Sequence, residues 1–475
     1  MDGGQGEGHV AGWGDLLRHG NAARTAVVTG GMVLHAVNVF IATTILPTVV
    51  DEIGGLRFFA WATTLYVVAS LFGAVACPRL LRQGARPSYR VALGLFALGT
   101  AVCALAPTMP VLLAGRFVQG LGAGLLSALS FAQIRILFAP ALWGRALGAV
   151  SIAWGAMTLL GPAIGGMFAE AHAWRAAFWT LLAAVPFLAV LVARALPRDA
   201  TAAPEARPMA WRSLALLTAS VLAISVGSAT HDPAVNAAGL AVALCGLVLF
   251  AWSEAAGPHR LLPRGACDPR TPLGGAYAAM VLLLLGLCTD VFVPLFLQTL
   301  HGLSPLHAGY LAALLSLGWT AASTFSTSYG AGRTQAILLA GPGCLGVGLL
   351  GLALMMPSAL PQPVAVPALG VSLTLMGLGM GMCWPHLGTR VFAAASEAES
   401  ALAAGSITVV VMAGNAIGSA FAGLVVNARG LDDGAAPAAG WLFGLALLWP
   451  VLAAVVLRRF DRPRSATTLA YGVAP

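Results

Sequence analysis

Residues 110–133 read PVLLAGRFVQGLGAGLLSALSFAQ, a stretch with a single charge, Arg116. Wound as an α-helix at about 1.5 Å per residue it is about 36 Å long, enough to cross a hydrocarbon core of about 30 Å. The same character recurs along the chain, in stretches near residues 26–50, 58–78, 91–106, 145–169, 176–195, 213–230, 235–254, 273–299, 307–328, 334–356, 364–389, 402–426 and 438–457. Together they predict an all-α integral membrane protein of fourteen transmembrane helices. Composition agrees, because 59% of the 475 residues are apolar and only 9% are charged, against about 25% charged in soluble domains. The run from Ala26 to Val50 is too long for the core of a cleaved signal peptide and is expected to remain as the first span.

Arginine supplies all 25 basic residues, and 17 acids leave a net charge of +8. A basic excess can mark a nucleic-acid partner, but the placement of the arginines argues against one. With both termini in the cytoplasm, the inner loops hold 21 arginines, the outer loops hold only Arg57, Arg175 and Arg429, and Arg116 lies within a span. Positive residues stay on the cytoplasmic side, so this split sets the orientation of a multi-pass protein of the inner (plasma) membrane. Removing one helix would invert every later loop. A twelve-helix alternative therefore has to drop two adjacent helices.

Such a pair lies between the Pro- and Arg-rich loops 197–212 and 255–272. The expected organisation is 6+2+6. It comprises a cytoplasmic tail (1–24), a six-helix half (25–196), a two-helix insert with its loops (197–272), a second six-helix half (273–460) and a cytoplasmic tail (461–475). The seven cysteines, Cys77, Cys103, Cys245, Cys267, Cys288, Cys344 and Cys383, form no CxxC pair and show no metal-ligand spacing. They read as small buried hydrophobes. No metal and no cofactor is expected. Catalysis is not expected either, since HExxH, GxSxG, a P-loop lysine and paired histidines are all missing.

Four motifs stand out. A Gly- and Arg-rich turn follows the second span, with Arg82, Gly84 and Arg86. The fourth span carries Arg116-Phe-Val-Gln119-Gly120-Leu-Gly122-Ala-Gly124, in which Arg116, Gly120 and Gly124 share one helical face, so that a neighbouring helix can approach a charge that must find a partner or water. The fifth span carries Gly155-Ala-Met-Thr-Leu-Leu-Gly161-Pro162-Ala-Ile-Gly165-Gly166, followed by Trp174-Arg175. Gly148, Gly155, Pro162 and Gly166 fall on one stripe, which predicts a smooth groove kinked at the proline. The second half opens with Phe296-Leu-Gln298, Gly302-Leu-Ser304-Pro305 and Ala308-Gly309, and Gly330-Ala-Gly332-Arg333 is a shortened echo of the first turn.

These motifs resemble the fourteen-helix drug:proton antiporter branch of the major facilitator superfamily (MFS). The resemblance covers roughly residues 26–460, and the run GPxxGG is similar to the signature shared by its drug exporters. It implies proton-coupled export of small amphipathic molecules by alternating access, by a functional monomer whose partners are the substrate, protons and the lipid bilayer. The sequence departs from the family at two acids. Leu81 takes the place of the acid in the turn after the second span, and Asn38, counted back from Leu46-Pro47, takes the place of the aspartate in the first span. Both departures raise the weight of an alternative, uptake of a small nutrient such as a vitamin. A non-transporting receptor is a third option.

Proton coupling needs a switchable charge inside the membrane. Asp290 is the one carboxylate well inside a predicted span, since Glu170 and Glu254 lie near helix ends and Asp51 and Glu52 in the first outer turn. His35, one turn before Asn38, and His386, after Trp384-Pro385, are the other proton-coupling candidates. Asn38, Phe40, Trp61, Tyr66, Gln119, Gln298, Trp384 and Asn415 are candidates for the substrate-cavity lining, because apolar pockets with few polar groups suit amphipathic ligands. For the aromatics the competing role is anchoring at the membrane interface, and for the histidines it is hydrogen bonding.

Overall fold

The computed structural model describes residues 16, 20–139, 142–196, 210–228, 232–257, 259–326, 333–394, 399–428 and 434–459. Most of both tails, the loop 197–209 and the Gly330–Gly332 echo lie outside the described residues. Sixteen α-helices and no strand occur among them: α1 Asn21–Ile53, α2 Phe59–Leu81, α3 Ala85–Ala104, α4 Met109–Leu137, α5 Trp143–Glu170, α6 Trp174–Ala195, α7 Trp211–Ser228, α8 Pro233–Ala256, α9 Pro272–Leu287, α10 Val293–His301, α11 Pro305–Ser326, α12 Thr334–Met355, α13 Gln362–Ala394, α14 Ser400–Ala428, α15 Ala435–Ala446 and α16 Leu448–Arg459. In hydrocarbon every backbone N–H and C=O must be satisfied within the segment, so helices are the form that apolar stretches of this length can take. Twelve helical segments among the described residues are long and apolar enough to cross a membrane, α9 with α10 and α15 with α16 each counting as one. Of the fourteen predicted spans, the other two correspond to α7, whose apolar part covers Trp211–Gly227, and to α11.

Helix ends follow local chemistry. Pro110 opens α4, and the side chains of Asp232 and Thr271 cap α8 and α9 by accepting from Ala234 N at 2.8 Å and Gly274 N at 2.9 Å. Gly54 and Gly55, with φ of 71° and 86°, turn the chain after α1 in a conformation that a β-carbon would strain.

Two predicted spans are interrupted. The stretch 273–299 is α9, a 3₁₀ segment Cys288–Phe292, and α10. Pro294 has no N–H to give to the Asp290 carbonyl four residues earlier, so that carbonyl accepts from Val293 N instead and the helix tightens. Likewise Pro450 leaves the Ala446 carbonyl without its donor, and 438–457 divides into α15 and α16 around Leu447.

The chain forms two compact units, residues 1–208 with 304–310, and residues 209–303 with 311–475. In the first, α4 lies between α2 and α3, and α1 packs on α5. In the second, α13 packs on α12, and α7 and α8 pair with each other while α7 lies on α14. The loop after α8 is folded by two carboxylates. Buried Glu254 accepts from Leu261 N (3.0 Å) and Leu262 N (2.8 Å), and Glu399 pairs with Arg260 at 3.0 Å and accepts from Arg264 N.

The cysteines depart in part from the expectation of uniform burial. Cys77, Cys103, Cys288 and Cys383 are buried, Cys267 and Cys344 are half-buried, and Cys245 is exposed on α8. Burial, with Glu254 nearby, pushes the Cys267 thiol up to about 11, so in its loop it stays protonated and weakly nucleophilic.

Candidate functional site

The polar residues of the first unit converge on Arg116, which is 4% exposed. Its Nη1 donates to Gln119 Oε1 at 2.6 Å and Asn38 Oδ1 at 3.3 Å, and its Nε donates to the Ala62 carbonyl at 3.3 Å. The guanidinium lies over the Tyr66 ring, 4.1 Å from its centroid, a cation–π contact strengthened by desolvation. Gln119 Nε2 in turn donates to Thr100 Oγ1 at 2.8 Å, and Thr100 donates to the Phe96 carbonyl. On the other side the Tyr66 hydroxyl lies 2.9 Å from His35 Nδ1, and the His35 ring stacks on Tyr66 and leans on Trp154. Trp154 also meets Phe40 edge-on.

Glycine makes this convergence possible. A β-carbon on Gly120 would collide with the Tyr66 carbonyl, and one on Gly124 with the Ser70 backbone, so α2 and α4 meet nearly backbone to backbone. Ser70 Oγ adds a hydrogen bond to the Gly120 carbonyl at 3.1 Å. Gly99 makes the same close approach on the α3 side, against the Gln119 backbone. Without a hydrophobic force between helices in lipid, such contacts supply the packing energy.

On α5 the predicted groove is present but rotated. Gly161 faces Phe40, Gly165 faces Ile41 and Thr44, Gly166 faces Leu306, and Pro162 lies beside Gly309. Gly155, expected on the packing stripe, faces open space. The contact with α1 thus runs through the Gly161–Gly165 step, while Pro162 and Gly166 of the expected stripe meet Gly309 and Leu306. The turn after α2 serves α6: Gly84 opens α3 and Arg86 Nε donates to the Leu196 carbonyl at 2.6 Å, satisfying the end of α6. Leu81 is buried there.

At the opposite end of α1, Glu52 accepts from Trp174 Nε1 at 2.6 Å and pairs with Arg175, whose Nη2 donates to the Ala106 carbonyl. One carboxylate thereby ties α1, the α3–α4 turn and the start of α6. Trp61 is half-buried and meets Phe58 edge-on.

The candidates of the second unit are more dispersed. Asp290 is half-buried in the 3₁₀ segment and takes a backbone hydrogen bond from Val291. Two residues before it, the Cys288 thiol donates to Asn415 Oδ1 at 3.3 Å, which brings Asn415 of α14 to this break. Gln298 Nε2 and His386 Nε2 are buried without hydrogen-bond partners among the described residues, and Trp384 packs on Trp319, ring centroids 5.7 Å apart.

Sequence reasoning placed His35, Asn38, Tyr66, Arg116 and Gln119 among the candidates, and the first unit brings all five together. It missed Thr100 and Trp154, which no motif marks. It also missed the break at Asp290, for which Pro294 was the available signal.

Comparisons place these features among known proteins. The profile described as Major Facilitator Superfamily matches residues 28–419. A probable multidrug-efflux transporter of Mycobacterium tuberculosis is 38% identical over 455 residues, 93% of this chain and 94% of that protein. The multidrug transporter protein MdtP of Bacillus subtilis is 26% identical over 86% of this chain and 76% of its own length. Among solved structures, the POT family transporter PepTSo superposes with a TM-score of 0.66 at 14% identity, covering 92% of this chain and 98% of that one. The human organic anion transporter MFSD10 gives 0.60 at 17% identity, covering 92% and 99%. At these identities the structural likeness speaks for the fold.

Proposed function

The chain belongs to the Major Facilitator Superfamily and is a multi-pass membrane transporter, and on that premise we propose that it exports small amphipathic molecules in exchange for protons by alternating access. The observation that supports this reading best is the GPxxGG run of α5. Its glycines and proline are packed against Phe40, Ile41 and Thr44 of α1 and against Leu306 and Gly309, in a chain 38% identical to a relative described as a probable multidrug-efflux transporter.

Exchange requires a charge that can be switched within the membrane, and Asp290 is assigned that role. It lies where the helix is broken, two residues after Cys288, whose thiol donates to Asn415. His35 and His386 are the alternatives. A proton moving inward down 100 mV delivers about 2.3 kcal/mol, plus the pH term, to expel a solute. Phe40, Trp61, Tyr66, Gln119, Gln298, Trp384 and Asn415 are proposed to offer aromatic faces and amides to substrate, with Asn38 beside them. The fourteen spans are taken as 6+2+6 with both termini cytoplasmic, in the inner membrane, working as a monomer.

Uptake of a small nutrient is the second reading, favoured by Asn38 and Leu81, which leave both familiar acidic positions neutral. Counterflow in right-side-out vesicles with an imposed pH gradient separates the two. Export predicts that an amphipathic dye is excluded when the outside is acid; accumulation inside overturns it. Asp290→Asn is expected to abolish proton-coupled flux while leaving expression and insertion intact. Unchanged coupling would transfer the role to His35 or His386.

A further inference from the structure

Arg116 is a buried cation whose partners are all neutral. An amide oxygen of Asn38, an amide oxygen of Gln119, the Ala62 carbonyl and the Tyr66 ring surround it, and among the described residues no carboxylate pairs with it. Dipoles can orient toward a guanidinium, but they do not cancel its net charge, and a buried ion without a counter-ion is costly. Asn38 stands at 0% exposure with its Oδ1 3.3 Å from Arg116 Nη1, where a carboxylate would have neutralised the charge.

Arg116 also forms part of the wall of a small cavity inside the first unit, with Ile45 and Val49 of α1, Ala62 and Thr63 of α2, and Phe178 of α6. Its volume is about 10 Å³, close to the roughly 10–15 Å³ that a single water-sized particle occupies. Arg116 and Thr63 are the two polar residues of an otherwise apolar lining. That combination is selective by size and sign: a divalent oxyanion is too large, a cation is repelled, and a halide or one oxygen of a carboxylate fits with small movement of the aliphatic lining.

We propose that Arg116, left unneutralised by Asn38, binds a small monovalent anion, either a free inorganic ion or the carboxylate of a bound solute. The site does not depend on the direction of transport or on the role of Asp290. Charge balance inside the membrane is its physical basis, since an anion supplied from solution takes the place of the missing aspartate.

The test uses the purified full-length chain in nanodiscs, with thermal unfolding followed by tryptophan fluorescence at constant ionic strength. Sodium methanesulfonate, too bulky for the cavity, is the background, and chloride or acetate is titrated in its place. The wild-type Tm is expected to rise by a few degrees and saturate, as for a ligand that binds the native state alone. A rise with chloride as well as acetate identifies a free-ion site; a rise with acetate alone identifies a carboxylate site. Asn38→Asp supplies the counter-charge internally, so its Tm is expected to match or exceed that of the anion-saturated wild type and to show no saturable response. Gln119→Glu serves the same purpose should Asn38→Asp fail to fold. A wild-type response to chloride and acetate that is absent or unsaturable overturns the proposal, and so does a neutralised variant that keeps the saturable rise.

Discussion

Helices α4 and α13 carry the same ladder of glycines, Gly120-Leu-Gly122-Ala-Gly124 in one and Gly377-Leu-Gly379-Met-Gly381 in the other, and each meets two neighbours through it. Within the first unit Gly120 abuts the Tyr66 carbonyl, Gly124 the Ser70 backbone and Gly122 the Phe96 backbone. Within the second Gly377 abuts the Leu315 carbonyl, Gly381 the Trp319 carbonyl and Gly379 the Leu345 backbone. The correspondence extends to Gly99 against Gln119 and Gly348 against Met376. What differs is the cargo. Four residues before the first glycine, α4 has Arg116 and α13 has Leu373; one residue before it, α4 has Gln119 and α13 has Met376. Leu373 and Met376 are both 0% exposed, as Gln119 is. The same three-helix cradle therefore holds a hydrogen-bonded cation in one unit and a dry hydrophobic plug in the other. The packing scaffold does not itself dictate polarity, since the same backbone contacts accompany Arg116 and Gln119 in one helix and Leu373 and Met376 in the other.

The largest effects are expected where the two cradles agree. Gly124→Val and Gly377→Val each force a branched side chain into a neighbouring backbone, an overpacking that costs about 1–3 kcal/mol or more. Both variants should lose monodisperse protein on size-exclusion chromatography. If only one does, the two ladders are not equivalent.

A more selective test converts one cradle into the other. Arg116→Leu with Gln119→Met copies the α13 pattern and is expected to abolish transport with Tm close to that of the wild type, because the gain of about 1–4 kcal/mol from replacing a buried charged network by apolar groups is offset by about 1–3 kcal/mol for the stranded Asn38 oxygen. Arg116→Leu alone strands Asn38 and Gln119 and should lower stability by about 1–3 kcal/mol. A double variant less stable than the single would show that the charge is part of the scaffold after all.

The smallest effect is expected at Tyr66, whose counterpart in the second unit, Leu315, has no hydroxyl. Tyr66→Phe removes the contact with His35 Nδ1 and is expected to cost about 0.5–1.5 kcal/mol, read as a small fall in Tm with the glycine contacts intact. A fall as large as that of Gly124→Val would mean that the hydroxyl, and not the backbone approach, holds α2 against α4.

Much of the molecule was legible before its structure. Apolar stretches of spanning length, the face shared by Arg116, Gly120 and Gly124, and the GPxxGG run are local patterns, and local patterns survive in a string of letters. The α5 groove shows the limit. Helical spacing placed Gly155 and Gly166 on one stripe, but α1 seats itself on Gly161 and Gly165, because the facing surface that chooses the row, Phe40 to Thr44, is more than a hundred residues away in sequence. The breaks at Asp290 and Leu447 lie between these cases, being written in Pro294 and Pro450 but hidden within runs of uniform hydropathy.

By itself the sequence determined the solvent and the secondary structure: with so few charges and such long apolar runs, only helices in lipid satisfy the backbone. Tertiary structure alone decided the company Arg116 keeps, since Asn38, Ala62, Tyr66, Gln119 and Thr100 come from four helices whose mutual approach is set by where glycine lets backbones touch. Hydrogen bonding within a helix is a property of neighbours along the chain. Neutralising a charge depends on neighbours in space.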